Sequence, residues 1–162
     1  MNEAVTVSKA PGLDPVVLEL RKFHQEGLER IASRHRSGTG GTQIVDETTG
    51  LMDQLVMKIW QHALREGSRS SPIDLSANPP RVSLVAIGGY GRAQLHPRSD
   101  VDILFLHKKR LNELEEELIK CTLRTLWDVG LDIGHAVRTT SDCIRMAVAD
   151  LDNQTSLLEN SY

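Results

Sequence analysis

The stretch Ile87-Gly88-Gly89-Tyr90-Gly91-Arg92-Ala93-Gln94-Leu95-His96-Pro97-Arg98-Ser99-Asp100-Val101-Asp102-Ile103-Leu104-Phe105-Leu106 changes character twice. It opens where the apolar run Arg81-Val82-Ser83-Leu84-Val85-Ala86-Ile87 stops at Gly88-Gly89, and it closes in a second such run, Asp100 to His107. Both runs predict strands, because β-branched residues pack well on a pleated surface and the glycines end it. Between them, Gly-Gly-x-Gly lets backbone N–H groups come close to an anion, and a short helix opening there would add its positive end. That suits a triphosphate. Taken alone, the glycines are more readily explained by a tight strand-to-helix turn that binds nothing. The spacing is not a Walker A loop, since no Gly-Lys-Ser/Thr follows, and it is not a dinucleotide fingerprint either.

Asp100 and Asp102 stand two apart at the opening of the second strand, so their side chains leave the same face. Carboxylates held that close repel, and burial raises their pKa values unless a cation lies between them. A magnesium ion supplies that compensation, taking oxygen ligands and completing its shell with substrate phosphates. An isolated Asp-x-Asp is more often a solvated strand edge. Here Val101, Ile103, Leu104, Phe105 and Leu106 predict a strand buried on both faces, where unpaired carboxylates are costly, and this favours a metal.

Outward from this stretch the chain reads as helices before it and an α/β alternation after it. Asp14-Pro15 predicts a helix start, with Val16, Leu20, Phe23 or Gly27, Leu28 and Ile31 as its apolar stripe. Ser37-Gly38-Thr39-Gly40-Gly41-Thr42 predicts a flexible link. A second helix is expected from Asp46 to Glu66, buried along Met52, Leu55, Val56, Ile59, Trp60 and Ala63, with Gly67 as its stop. The proline-bearing segment 68–80 reads as a loop. Downstream, Asn112 and Glu115 form a capping pair, and acidic residues fill the first turns of a helix that ends before Gly130. Its face is Leu111, Leu114, Leu118, Thr122 and Leu126. Leu131 to Val137 is the third expected strand, and Ser141 the expected cap of a helix through Ala149.

Composition narrows the function classes. The chain has 162 residues, 40% hydrophobic and 25% charged, which is ordinary for a globular domain and too apolar for wholesale disorder. Nineteen Lys and Arg against 22 Asp and Glu give a net charge of -3, so no basic field draws it to nucleic acid. No apolar run is long enough to span a membrane, and MNEAVTVSKA has no signal-peptide pattern. Cys121 and Cys143 make neither a disulfide framework nor a zinc knuckle, so a cytoplasmic location is expected.

A strand, a Gly-Gly turn and Ser-Asp-x-Asp opening the next strand together resemble the nucleotidyltransferase fold of the DNA polymerase β superfamily. The fuller string from Gly88 to Leu106 is similar to the N-terminal domain of the PII uridylyltransferase/uridylyl-removing enzymes of bacterial nitrogen regulation. Leu126 to Thr139 (LWDVGLDIGHAVRT) and Asp150 to Glu159 (DLDNQTSLLE) extend the similarity over residues 82 to 159. The resemblance implies an α+β fold, a polymerase β-like core of small mixed sheet and helices at 81–162; the residues before it read as a flexible tail at 1–13 and a helical segment and loop at 14–80, which match the family only in general character. It implies that Gly88 and Gly89 hold the phosphates of UTP, that Ser99 orients them, and that Asp100 and Asp102 bind Mg²⁺. Arg92 is expected to pair with a phosphate or, equally, to pack as a surface residue. The implied reaction is attack by a tyrosine hydroxyl of a PII signalling protein on UTP, releasing pyrophosphate. Members of the superfamily often add a third carboxylate; Asp132 is the weak candidate, and His135 and Arg138 either face the nucleotide or serve structure.

Family members are several times longer and carry a phosphohydrolase domain and ACT domains, so the chain is expected to be incomplete at its C-terminus. Ala93 stands where the family more often has glycine. Apolar faces on the last helices would then lack their covers, which predicts marginal stability or self-association. Three functions follow: PII uridylylation; the same chemistry on another substrate, as in the adenylylating enzymes of glutamine synthetase or in nucleotidyltransferases joined to nucleotide-sensing modules; or a non-catalytic nucleotide-binding or interaction remnant.

Overall fold

The computed structural model describes residues 14–70, 78–97 and 99–149. The expected tail, part of the loop after the second helix, Arg98 and the Asp150–Glu159 motif lie outside them. Helix α1 spans Pro15–Arg36. Asp14 caps it, its Oδ1 accepting from the Val16 amide at 2.8 Å, and Pro15 occupies the first turn, where no N–H is needed. Its buried residues are Val17, Leu20, Gly27 and Ile31, so the stripe begins one position later than Val16.

Helix α2 spans Gly41–Ser70 and is longer at both ends than the expected Asp46–Glu66. The expected link is therefore cut short, and Gly67 does not stop the helix. A Cβ at Gly67 would lie 2.8 Å from Leu118 Cδ2 and 3.3 Å from Leu114 Cδ1. The glycine is there so that another helix can approach, and that packing offsets its helix penalty of about 1 kcal/mol.

The sheet has the order β1-β2-β3, with β1 Val82–Ala86, β2 Val101–His107 and β3 Ile133–Thr139. β1 is antiparallel to β2, and β2 is parallel to β3. Between β1 and β2 lies the short helical turn α3, Gly88–Gly91; the parallel step from β2 to β3 crosses over through α4, Glu113–Val129. Both bonds of the Asn112/Glu115 capping box are made, and Gly130 ends α4 with φ 92°. A bond of 3.2 Å from Leu131 N to Leu126 O closes that end and buries Leu131, so β3 starts two residues later than expected.

β3 runs into α5, Thr140–Ala149, without a loop. The cap is Thr139 rather than Ser141: its Oγ1 accepts from Asp142 N at 3.0 Å while Asp142 Oδ2 accepts from Thr139 N at 3.2 Å. The hydroxyl of Thr139 is already in place at the strand's last residue, which makes a serine two positions on superfluous.

Val101, Ile103 and Phe105 point from β2 into a single core shared with Val17 and Leu20 of α1, Leu55 and Ile59 of α2, and Leu126 of α4. Phe105, Leu55, Ile59 and Leu126 are sealed from solvent, and truncation of one such side chain costs about 2–5 kcal/mol. On the opposite face of β2, Leu104 is buried while Asp102 and Leu106 are half-buried. The strand is covered on one face and only partly on the other, not on both as its apolar run predicts. The open part of that second face is where the acidic pair lies.

Candidate active site

The site forms where β1 ends, the glycine turn begins and β2 opens. β1 and β2 stay joined past their last paired residues, for the Ile87 amide donates to Asp102 O at 3.1 Å. The chain must then reverse, and Gly88 does so with φ 61°, which a side chain rarely adopts. The turn closes on itself through Gly91 N to Ile87 O at 3.0 Å, Arg92 N to Gly88 O at 3.2 Å and Gln94 N to Gly89 O at 2.9 Å.

The turn is fastened from below by α2. Thr49 Oγ1 accepts from the Leu95 amide at 3.2 Å while donating to Val45 O at 2.9 Å. One helical turn further on, the carboxylate of Asp53 neighbours the hydroxyl of Tyr90, which lies buried in the middle of the glycine turn. Burial first, and then the neighbouring Asp53 carboxylate, push the Tyr90 hydroxyl far above the ordinary tyrosine pKa. It stays protonated. Thr49, Asp53 and Tyr90 were not singled out from sequence; Tyr90 sits inside the motif, but nothing local ties it to α2.

Asp102 projects from β2 between two glycines. A Cβ on Gly88 would lie 2.9 Å from its Oδ2, and one on Gly134 would overlap its Oδ1 and lie 3.4 Å from its Cγ. Gly134 is the register partner of Asp102 on β3. Burial, and then the charge of Asp100, raise the Asp102 carboxyl above its ordinary pKa. Asp100 and Ser99 are exposed, and the Ser99 amide donates to His96 O at 3.0 Å. Arg92 is exposed at the rim of the turn, its Nε donating to Gln94 Oε1 at 3.2 Å.

The later strand distributes its residues between the faces. His135 pairs in register with the core residue Ile103 and meets Trp127 edge-on with ring centroids 5.8 Å apart, so it lies on the face away from Asp102. Arg138 is on the face of Asp102 but pairs with Leu106, further along the strand. Asp132 precedes Gly134 by two and is exposed, its carbonyl taking the Val101 amide at 3.0 Å. Among the described residues no three His, Cys, Asp or Glu side chains converge as a metal site. The donor set is thus two carboxylates, and no described cation pairs with either. Hard oxygen donors on one face, one of them partly buried, fit a small divalent ion that draws its remaining ligands from phosphate and water.

A strand, a glycine turn, an antiparallel strand opening on an acidic pair and a third strand parallel to it make up a nucleotidyltransferase core. A family model described as glutamate-ammonia ligase adenylyltransferase matches residues 3–122. The chain belongs to this family of nucleotidyltransferases. Its relatives include proteins named bifunctional uridylyltransferase/uridylyl-removing enzyme: that of Nitrosococcus oceani is 37% identical over 155 residues, covering 96% of this chain and 16% of the relative. That of Erythrobacter litoralis is 36% identical over 162 residues, covering 99% of this chain and 17% of the relative. The Photobacterium profundum protein is 38% identical over 119 residues, or 73% of this chain and 12% of the relative. The chain therefore spans only a small part of the length of the relatives it matches. No described helix is long and apolar enough to cross a membrane.

Proposed function

We propose that the chain carries the nucleotide site of a Mg²⁺-dependent uridylyltransferase that transfers UMP from UTP to a tyrosine of a PII signalling protein. The observation that carries this reading is the Asp102 carboxylate lying directly against the Gly88 turn, so that a metal held by Asp102 would lie beside the backbone amides of the turn. The amides of Gly91, Arg92, Ala93 and Gln94 are taken by carbonyls of the turn, so a phosphate there would meet those ahead of them, at Gly88 and Gly89. Asp100 and Asp102 would hold the ion, with Ser99 at the mouth of the strand and Arg92 at the rim. Bound there, Mg²⁺ would offset charge on the α-phosphate and favour the ionised acceptor hydroxyl. With its proton passed to water, the acceptor oxygen would bond to the α-phosphorus as the bridging bond to the β-phosphate breaks, and pyrophosphate would leave in line.

The relatives' names support uridylyl transfer. The description of the matching family favours a second reading, adenylyl transfer from ATP to glutamine synthetase, which the same phosphate and metal groups would serve. The base decides between them. Binding of UTP is to be measured against ATP, CTP and GTP, with Mg²⁺ present or chelated, on the wild type and on Asp100→Ala/Asp102→Ala. Magnesium-dependent binding of UTP that is lost in the double variant is the expected result, and added PII protein then tests transfer. Preference for ATP would replace the first reading by the second. No binding by a folded chain would sink both.

A further inference from the structure

We infer that Gly134 is a positioning residue for Asp102, keeping the carboxylate in its metal-binding orientation by the absence of a side chain. This rests on the reading of Asp102 as a metal ligand. The two residues are register partners across the parallel pair β2·β3, and their side-chain directions coincide. In most such pairs two side chains stand next to each other above the sheet. Here the Asp102 carboxyl leans into the place of the missing one: a Cβ on Gly134 would overlap Oδ1, and among the described residues the only other atom it would meet within 4 Å is Asp102 Cγ. On the other flank the turn at Gly88 leaves a similar gap for Oδ2, so the carboxylate plane is fixed from both sides.

The two glycines differ in what a substitution would disturb. Gly88 has φ 61°, so a side chain there strains the backbone as well as crowding Asp102. Gly134 carries no such constraint, and glycine inside a strand is a liability that another residue removes, since it loses more freedom on folding and packs nothing. Alanine at 134 should therefore suit the strand. What it displaces is the tip of one side chain, and that tip is the metal ligand. The site and the stability of the strand thus make opposite demands on position 134.

The test compares wild type, Gly134→Ala and Asp102→Ala. Thermal melting without metal reads the fold, Mn²⁺ affinity in the presence of UTP reads the site, and the Asp102 carboxyl ¹³C chemical shift without metal reads the side chain. Gly134→Ala is expected to melt no lower than wild type, to move the Asp102 signal, and to lose roughly 10–100-fold in Mn²⁺ affinity, the usual effect of disturbing a residue that orients a ligand. A folded Gly134→Ala with Mn²⁺ affinity unchanged would overturn the inference. If wild type and Asp102→Ala bind Mn²⁺ alike, the metal-ligand reading fails instead. The inference then stands or falls on the Asp102 signal, and an unmoved signal in Gly134→Ala overturns it.

Discussion

Ala93 stands at the end of the glycine turn with φ 57°, the sole non-glycine residue among those described with a positive φ. An L side chain in that region costs about 1–2 kcal/mol. Ala93 is exposed, so its methyl group recovers little by packing. Ala93→Gly should relieve the strain at the expense of about 0.5–1 kcal/mol of extra chain entropy, leaving a net gain of about 0.5–1 kcal/mol. The shift would appear in the urea midpoint with an unchanged slope; a lowered midpoint would refute the account. Ala93 could be marked from sequence as unusual, but not as left-handed. The same holds for the place that Asp102 takes beside Gly134. Asp102 is legible as a candidate ligand from its motif alone. Its relation to Gly134 is not, because that depends on the register between strands separated by a helix.

Single contacts between elements govern more than their local sequence suggests. Glu115, the second half of the α4 cap, is buried and also takes the Arg81 amide at 2.9 Å and the Arg81 Nε at 3.1 Å, so it ties the start of β1 to the start of α4. Burial alone would raise its pKa, but the bonds from the Asn112 and Arg81 amides, with the Arg81 side chain and charge, outweigh it and leave the carboxyl below its ordinary value. A lowered carboxyl stabilises the folded state above the ordinary carboxylate range, and the stabilisation is lost as pH falls through the folded-state value. Glu115→Gln should therefore cost about 1–3 kcal/mol at neutral pH and flatten the acid side of the stability profile. Denaturant melts from pH 7 down to about 3 would show it; parallel profiles for the two proteins would contradict the assignment. The sequence displayed the capping box but not the link to Arg81. It also displayed Gly67 as a helix stop, since a glycine kept for a neighbouring helix and a glycine that ends a helix look alike until the neighbour is placed. Where local chemistry decided the matter, as at Asp14 and Asn112, sequence and structure agree.

At the scale of the whole molecule, α1 and α2 share one hydrophobic core with the sheet and α4, and α2 also holds the glycine turn through Thr49 and Asp53. α5 is different. It packs on β3 and buries Cys143, while Ile144 and Val148, one turn apart, are 62% and 80% exposed. We propose that this pair drives self-association of the chain as it stands. Sedimentation over a range of concentrations should show a mass that rises with concentration and falls back to one chain in Ile144→Asp/Val148→Asp. A wild type that stays monomeric would refute this.

The gap beside Asp102 also bears on descent. Glycine and alanine codons differ by a single base, and the change at position 134 would spare the core that holds the molecule together. On the inference drawn for Gly134, a lineage can give up the metal ligand's orientation in one mutational step and keep a sound scaffold, so silent copies of such a protein would be under no pressure to unfold and could persist as binding proteins.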